Sequence, residues 1–163
     1  MPITPSRIYH VNVNCSDLER SLAFYRDALG LRPMMRTQPR SPQPGQAFGL
    51  DEVQWDAWIL CGDAGPATPV LDLLEWKVPK PASAPVTDPT TTGFNRLAFT
   101  TPDLDALHAR LTDAGVAVWS EPRRLALEHG GELRMFVCSD PDGTQVELLE
   151  GADTRMSHVV IGC

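Results

Sequence analysis

Apolar and polar positions recur in the same order twice along the chain. Residues 7–31 read RIYHVNVNCSDLERSLAFYRDALGL, and residues 93–116 read GFNRLAFTTPDLDALHARLTDAGV. Each stretch is a short alternating run, an Asp-Leu pair, a helical stripe and a Gly. In the first run Ile8, His10, Asn12 and Asn14 alternate with Tyr9, Val11 and Val13, the period of a strand. His10 therefore takes the face opposite Val11. Ser16, with Glu19 three residues on, has the spacing of a capping box. Leu18, Leu22, Tyr25 and Leu29 then give a helical stripe that Gly30 stops. In the second run a strand is expected over 94–100. Thr101 is the expected cap, with Pro102 in the first turn, Leu104, Leu107 and Leu111 inward and Gly115 as the stop. Asp17 and Asp103 are 86 residues apart, and Gly30 and Gly115 are 85 apart.

Further strands follow each helix. In the first half they are expected over 31–37, 54–61 and 69–76, with a Pro- and Gly-rich loop over 38–46. In the second they are expected near 116–120, 132–138 and 144–150, with SDPDGT (139–144) as a tight turn. The two halves thus read β-α-β-β-β. A repeated unit of this size cannot bury its apolar face alone, so two copies are expected to pair around a cleft. The organisation is a first module over 1–76, a Pro-rich connector over 77–92 and a second module over 93–151. A tail follows over 152–163. Its RMSHVVIGC resembles RIYHVNVNC at the start of the chain, as if a further module began there.

Composition narrows the partners. With 163 residues, 42% of them hydrophobic, the chain is long enough for a real core. The net charge of −7 is scattered, which disfavours nucleic acid, whose binding needs a basic face. No apolar run approaches the roughly 20 residues of a membrane span, and residues 1–10 contain no signal-like apolar stretch. Cys15, Cys61, Cys138 and Cys163 lack paired zinc spacing and read as reduced thiols of a cytoplasmic protein.

The stretches HVNVNCSDLERSLAFYRDALGL, LAFTTPDLDALHARLTDAGV and FVCSDPDGTQVELLE resemble the vicinal-oxygen-chelate superfamily, also called the glyoxalase/bleomycin-resistance/dioxygenase superfamily. The resemblance spans residues 7–151, and the DPDG turn followed by Val-Glu-Leu is its most specific part. It implies an α+β fold of two paired βαβββ modules forming curved mixed sheets around a cleft. It also implies a homodimer or further modules of the same chain. The superfamily holds isomerases, lyases, dioxygenases and metal-free drug-sequestering proteins, so fold alone does not choose a function.

In its metal-dependent members the first and last strands of each module supply one ligand apiece. Carried over, the resemblance implies His10, Asp72 and Glu147 as metal ligands, with Glu147 also the catalytic group. One nitrogen and two carboxylates suit Mn, Fe, Ni, Zn or Mg, and open positions would let the ion act as a Lewis acid. The fourth position, expected to be His, is Arg96. A guanidinium never ligates a metal. Arg96 is therefore expected either to pair with Asp72 or Glu147 in place of the cation, or to grip a substrate beside a bound metal. Glu75 and Glu150, three residues beyond Asp72 and Glu147, fall on the other strand face. His108 and His129 read as surface residues.

Trp55, Trp58, Trp76 and Trp119 offer an aromatic wall for a planar ligand, or plain core and interface packing. Trp58 and Trp119 are the expected substrate contacts, with Arg96. Trp55 and Trp58 cannot both point inward on a regular strand. The expected function is a cytoplasmic small-molecule-binding protein with no nucleic-acid or membrane partner. One reading is a divalent-metal-dependent lyase, isomerase or dioxygenase. The alternative is a metal-free sequestering protein, or a noncatalytic domain of a larger multi-module enzyme.

Overall fold

The computed structural model describes residues 8–67, 69–81, 85–126 and 132–150, so the proposed tail strand lies outside the described residues. The chain divides into two compact units between residues 83 and 84.

The first unit runs β1 (His10–Asn14), α1 (Leu18–Leu22), β2 (Arg32–Thr37), β3 (Gln43–Pro44), β4 (Glu52–Cys61) and β5 (Val70–Val78). Its sheet has the order β1-β5-β4-β2, with the short β3 also on β4. β1 and β5 are parallel, with Asn12 opposite Asp72. The other pairings are antiparallel. The second unit runs β6 (Arg96–Thr100), α2 (Leu104–Asp113), β7 (Ala117–Val118), β8 (Arg123–Ala126), β9 (Glu132–Ser139) and β10 (Gln145–Glu150). It repeats the topology as β6-β10-β9-β7, with β8 on β9 and β6 parallel to β10. Each unit is thus the βαβββ plan plus one short strand. β3 falls where a loop was expected. β8, RRLA, has no period-2 alternation to announce it.

One face of each sheet is covered by its helix. Leu18, Leu22, Tyr25 and Leu29 are buried as their spacing required, and so are Val13, Leu71 and Leu73 of the sheet. In the second unit Leu104, Leu107 and Leu111 meet a sheet face with Phe136, Cys138, Val146 and Leu148 buried. Filling this layer is the main apolar contribution, at roughly 1.5–3 kcal/mol per fully buried large side chain. After Leu22 the first helix widens into a π-helical segment, Ala23–Ala28, closed by Leu29 N–H donating to Phe24 O at 2.7 Å.

The caps differ from the sequence reading. Asp17, not Ser16, caps α1, its Oδ1 accepting from Arg20 N at 3.0 Å. Asp103, not Thr101, caps α2, its Oδ1 accepting from Ala106 N at 2.9 Å. A carboxylate sits better than a hydroxyl at the positive end of a helix dipole. Ser16 Oγ instead accepts from Arg20 Nη2, and Thr101 Oγ1 from Asp103 N. Glu75 and Glu150 do lie on the faces opposite Asp72 and Glu147, and there they hold the helices. Glu75 Oε2 accepts from Leu18 N and Glu150 Oε1 from Leu104 N, each at 3.1 Å. The same bond in both units satisfies a helix-start donor that has no partner within the helix.

Candidate functional site

With one face of each sheet under a helix, polar side chains on the other face are free to meet a ligand. Strand alternation puts His10, Asn12 and Asn14 of β1 on this open face, beside Asp72 and Trp76 of β5. Asn12 Nδ2 donates to Asp72 Oδ2 at 3.2 Å and to the Asp72 carbonyl at 3.3 Å. Asp72 Oδ1 is buried and has no hydrogen-bond partner among the described residues. His10 is exposed, its ring edge-on to Tyr9 at 5.5 Å.

Two residues further along, Trp76 Nε1 donates to Asn14 Oδ1 at 3.0 Å. Trp76 belongs to an edge-to-face cluster with Trp55 at 6.2 Å and Phe48 at 5.5 Å between ring centroids. Trp55 Nε1 is in turn fixed by Thr37 Oγ1 at 3.1 Å. An open cavity of about 340 Å³ lies against this cluster, lined by Asn14, Phe48, Leu50, Trp76, Pro79 and Pro81. Phe48 is 58% exposed although it is a large aromatic. The sequence reading missed it because it stands in a 3₁₀ turn, Gln46–Phe48, outside any periodic run.

Trp58 is placed differently from the sequence expectation. It pairs with Leu73, while its neighbour Ile59 pairs with Asp72, so Trp58 lies on the helix-covered face. The odd offset from Trp55 did exclude one of the two. Trp55 pairs with Trp76, on the same face of β5 as Asp72, and so takes the open face.

In the second unit the open face carries Arg96 and Ala98 of β6, Glu147 of β10, Val137 and Ser139 of β9, and Trp119 just past β7. Arg96 Nε donates to Glu147 Oε2 in a close ion pair. The glutamate side chain is 13% exposed and the arginine side chain 43%. Among the described residues Arg96 Nη1 reaches Asn95 Oδ1, at 3.5 Å. Trp119 is 46% exposed, and its Nε1 donates to Ser139 Oγ at 3.0 Å.

Remaining groups of interest are structural. Arg134 joins Glu150 and Asp105 at 2.7 and 2.6 Å, which holds the Asp105 carboxyl below the usual carboxylate range. His108, expected at the surface, is 14% exposed by side chain and packs edge-on against buried Phe136 at 5.0 Å. Its helix position faces the sheet margin rather than water. His129 lies outside the described residues. Cys15, Cys61 and Cys138 are buried free thiols, and burial pushes the Cys138 thiol up to about 12.

These side chains do not fit the divalent ion that the resemblance implies. Among the described residues no group of three or more His, Cys, Asp or Glu side chains is placed to hold a metal. Two of the expected ligands are moreover already engaged. Glu147 already carries a guanidinium, whose fixed charge repels a dication, and Asn12 occupies one oxygen of Asp72. No helix among the described residues is long and apolar enough to cross a membrane.

Comparison with known proteins places this geometry. A lactoylglutathione lyase of Haemophilus influenzae is 26% identical over 149 residues, covering 91% of this chain and 96% of that protein. A glyoxalase family protein of Bacillus cereus superposes with a TM-score of 0.76 at 19% identity, over 91% of this chain and 95% of that one. The trypanothione-dependent glyoxalase I of Leishmania major gives a TM-score of 0.65 at 22% identity, over 96% and 94%. The family model matches residues 7–148, and the chain belongs to the Glyoxalase/Bleomycin resistance protein/Dioxygenase superfamily.

Proposed function

We propose that this chain is a small-molecule-binding member of its superfamily that works without a divalent ion, taking flat apolar ligands on the open sheet faces. The observation that carries the reading is the Arg96–Glu147 ion pair. It puts a permanent cation on the carboxylate that a metal would need. An Arg–carboxylate pair satisfies both charges without any ion, whereas removing either partner would leave the other uncompensated. The aromatic cluster of Phe48, Trp55 and Trp76 supplies apolar contact area, with Asn14 as a polar group at its margin. Three buried free thiols suit a reducing compartment, which supports a cytoplasmic placement.

Elemental analysis and a binding titration test this together. Untagged protein should carry no stoichiometric metal after incubation with Mn, Ni or Zn. It should bind a two-ring aromatic such as 2-naphthylmethanol with quenching of tryptophan emission. Stoichiometric metal, or no binding of the aromatic, would overturn the reading.

A second reading is favoured by one feature. The buried, unpartnered Oδ1 of Asp72 is an acceptor waiting for a donor or a cation. With the likeness to a lactoylglutathione lyase, it supports a metal-dependent lyase in which His10, Asp72 and Glu147 ligate the ion and Glu147 moves the proton. That reading requires Arg96 to release Glu147.

A further inference from the structure

The ion pair with Glu147 uses only part of the Arg96 guanidinium. A guanidinium has five N–H donors, and Glu147 uses the one on Nε. The bond pins the plane of the group through its Nε side. The terminal Nη1 and Nη2 then form the remaining fork. Nη1 spends little on Asn95 Oδ1, at 3.5 Å, and the arginine side chain stays 43% exposed. Here the carboxylate is largely covered and the donor end is open.

The floor beside this fork mixes polar and apolar groups, with Gln145 opposite Arg96 on β10 and Ser139 beyond it on β9. Ala98 and Val137 flank Glu147 on the neighbouring strands, and Trp119 closes the far side, its indole fixed by Ser139. From β6 to β7 is three strand spacings, roughly 14 Å. A two-ring aromatic fits that span with one polar end.

We infer that Arg96 is an oxyanion receptor, offering Nη1 and Nη2 to the carboxylate of an aromatic ligand that lies across the open face of the second sheet towards Trp119. Glu147 is the positioning residue that orients the fork. The inference rests on the proposed function and adds the charge class of the ligand. Two parallel N–H bonds to a carboxylate are the geometry that guanidinium serves best and that an ammonium cannot copy.

The test compares 2-naphthoate with its neutral analogue 2-naphthylmethanol, by tryptophan fluorescence and calorimetry, in wild type, Arg96→Gln and Arg96→Lys. Wild type should prefer naphthoate by roughly ten- to a hundredfold, the range of one charged hydrogen-bonded contact. Arg96→Gln should abolish the preference. Arg96→Lys should keep part of it, because charge remains and the fork is lost. If Arg96→Gln fails to fold, the Arg96→Lys comparison still decides. Equal affinity for both probes in wild type, or a preference that survives in Arg96→Gln, would overturn the inference and leave the proposed function standing. Binding of neither probe by wild type would overturn both.

Discussion

Replacing Glu150 by alanine should destabilise the second unit through one backbone bond. Glu150 Oε1 accepts from Leu104 N at 3.1 Å, and Leu104 is fully buried at the start of α2. Without the carboxylate this N–H has no acceptor within the helix and little access to water. A buried donor left unmade costs about 1–3 kcal/mol. The second oxygen of Glu150 holds Arg134, a partly exposed pair that adds little and weakens with salt. The expected loss is therefore about 2 kcal/mol. For a chain of this length it corresponds to a melting shift of about 4–8 °C. Glu150→Gln separates the two contributions, since its amide oxygen can still accept from Leu104 N. It should retain most of the stability. Urea unfolding followed by far-UV circular dichroism reads both variants. A loss below about 0.5 kcal/mol in Glu150→Ala, or equal losses in Glu150→Ala and Glu150→Gln, would refute the capping argument.

Three other outcomes follow from the structure. Cys138 is held neutral by burial, so in native protein it should resist a thiol reagent at pH 8, as read by mass spectrometry of the labelled peptides. Its folded value lies above the ordinary 9.0, so the stability it contributes is full below pH 9 and is lost as pH rises towards about 12. Gly143 has φ of +101° in the DPDG turn, beside Thr87. Gly143→Ala should cost about 1–2 kcal/mol in urea unfolding, because an L side chain is strained in that region.

The fold was legible because the repeat carries two independent periods. Alternation in 8–14 and the stripe Leu18, Leu22, Tyr25, Leu29 fix strand, helix and buried face together, and Gly30 and Gly115 mark the ends with positive φ. Local competition was not legible. Ser16 and Asp17, or Thr101 and Asp103, are both good caps by type, and the charge at the helix dipole decides between them. Strand alternation placed Glu75 and Glu150 away from Asp72 and Glu147. It could not show that a helix start waits there for an acceptor. Alternation showed that Trp55 and Trp58 take opposite faces, but which of them shares the face of Asp72 required the pairing of β4 with β5. Phe48 was passed over because a single aromatic in a turn has no period. At the site, the substitution of Arg for His at position 96 was visible at once. That it closes on Glu147 rather than leaving the carboxylate open required the register of β6 against β10.

Metal stoichiometry in wild type and Arg96→His tests the central claim most directly. Untagged protein would be incubated with Mn, Ni or Zn, desalted and analysed by elemental mass spectrometry. Wild type should remain substoichiometric with each ion. Arg96→His, which removes the cation from Glu147 and places an imidazole beside it, should retain more metal, and less of it below about pH 6 as the imidazole protonates. One equivalent of tightly held metal in wild type, lost in His10→Ala and in Asp72→Ala, would contradict the account and favour the metal-dependent lyase.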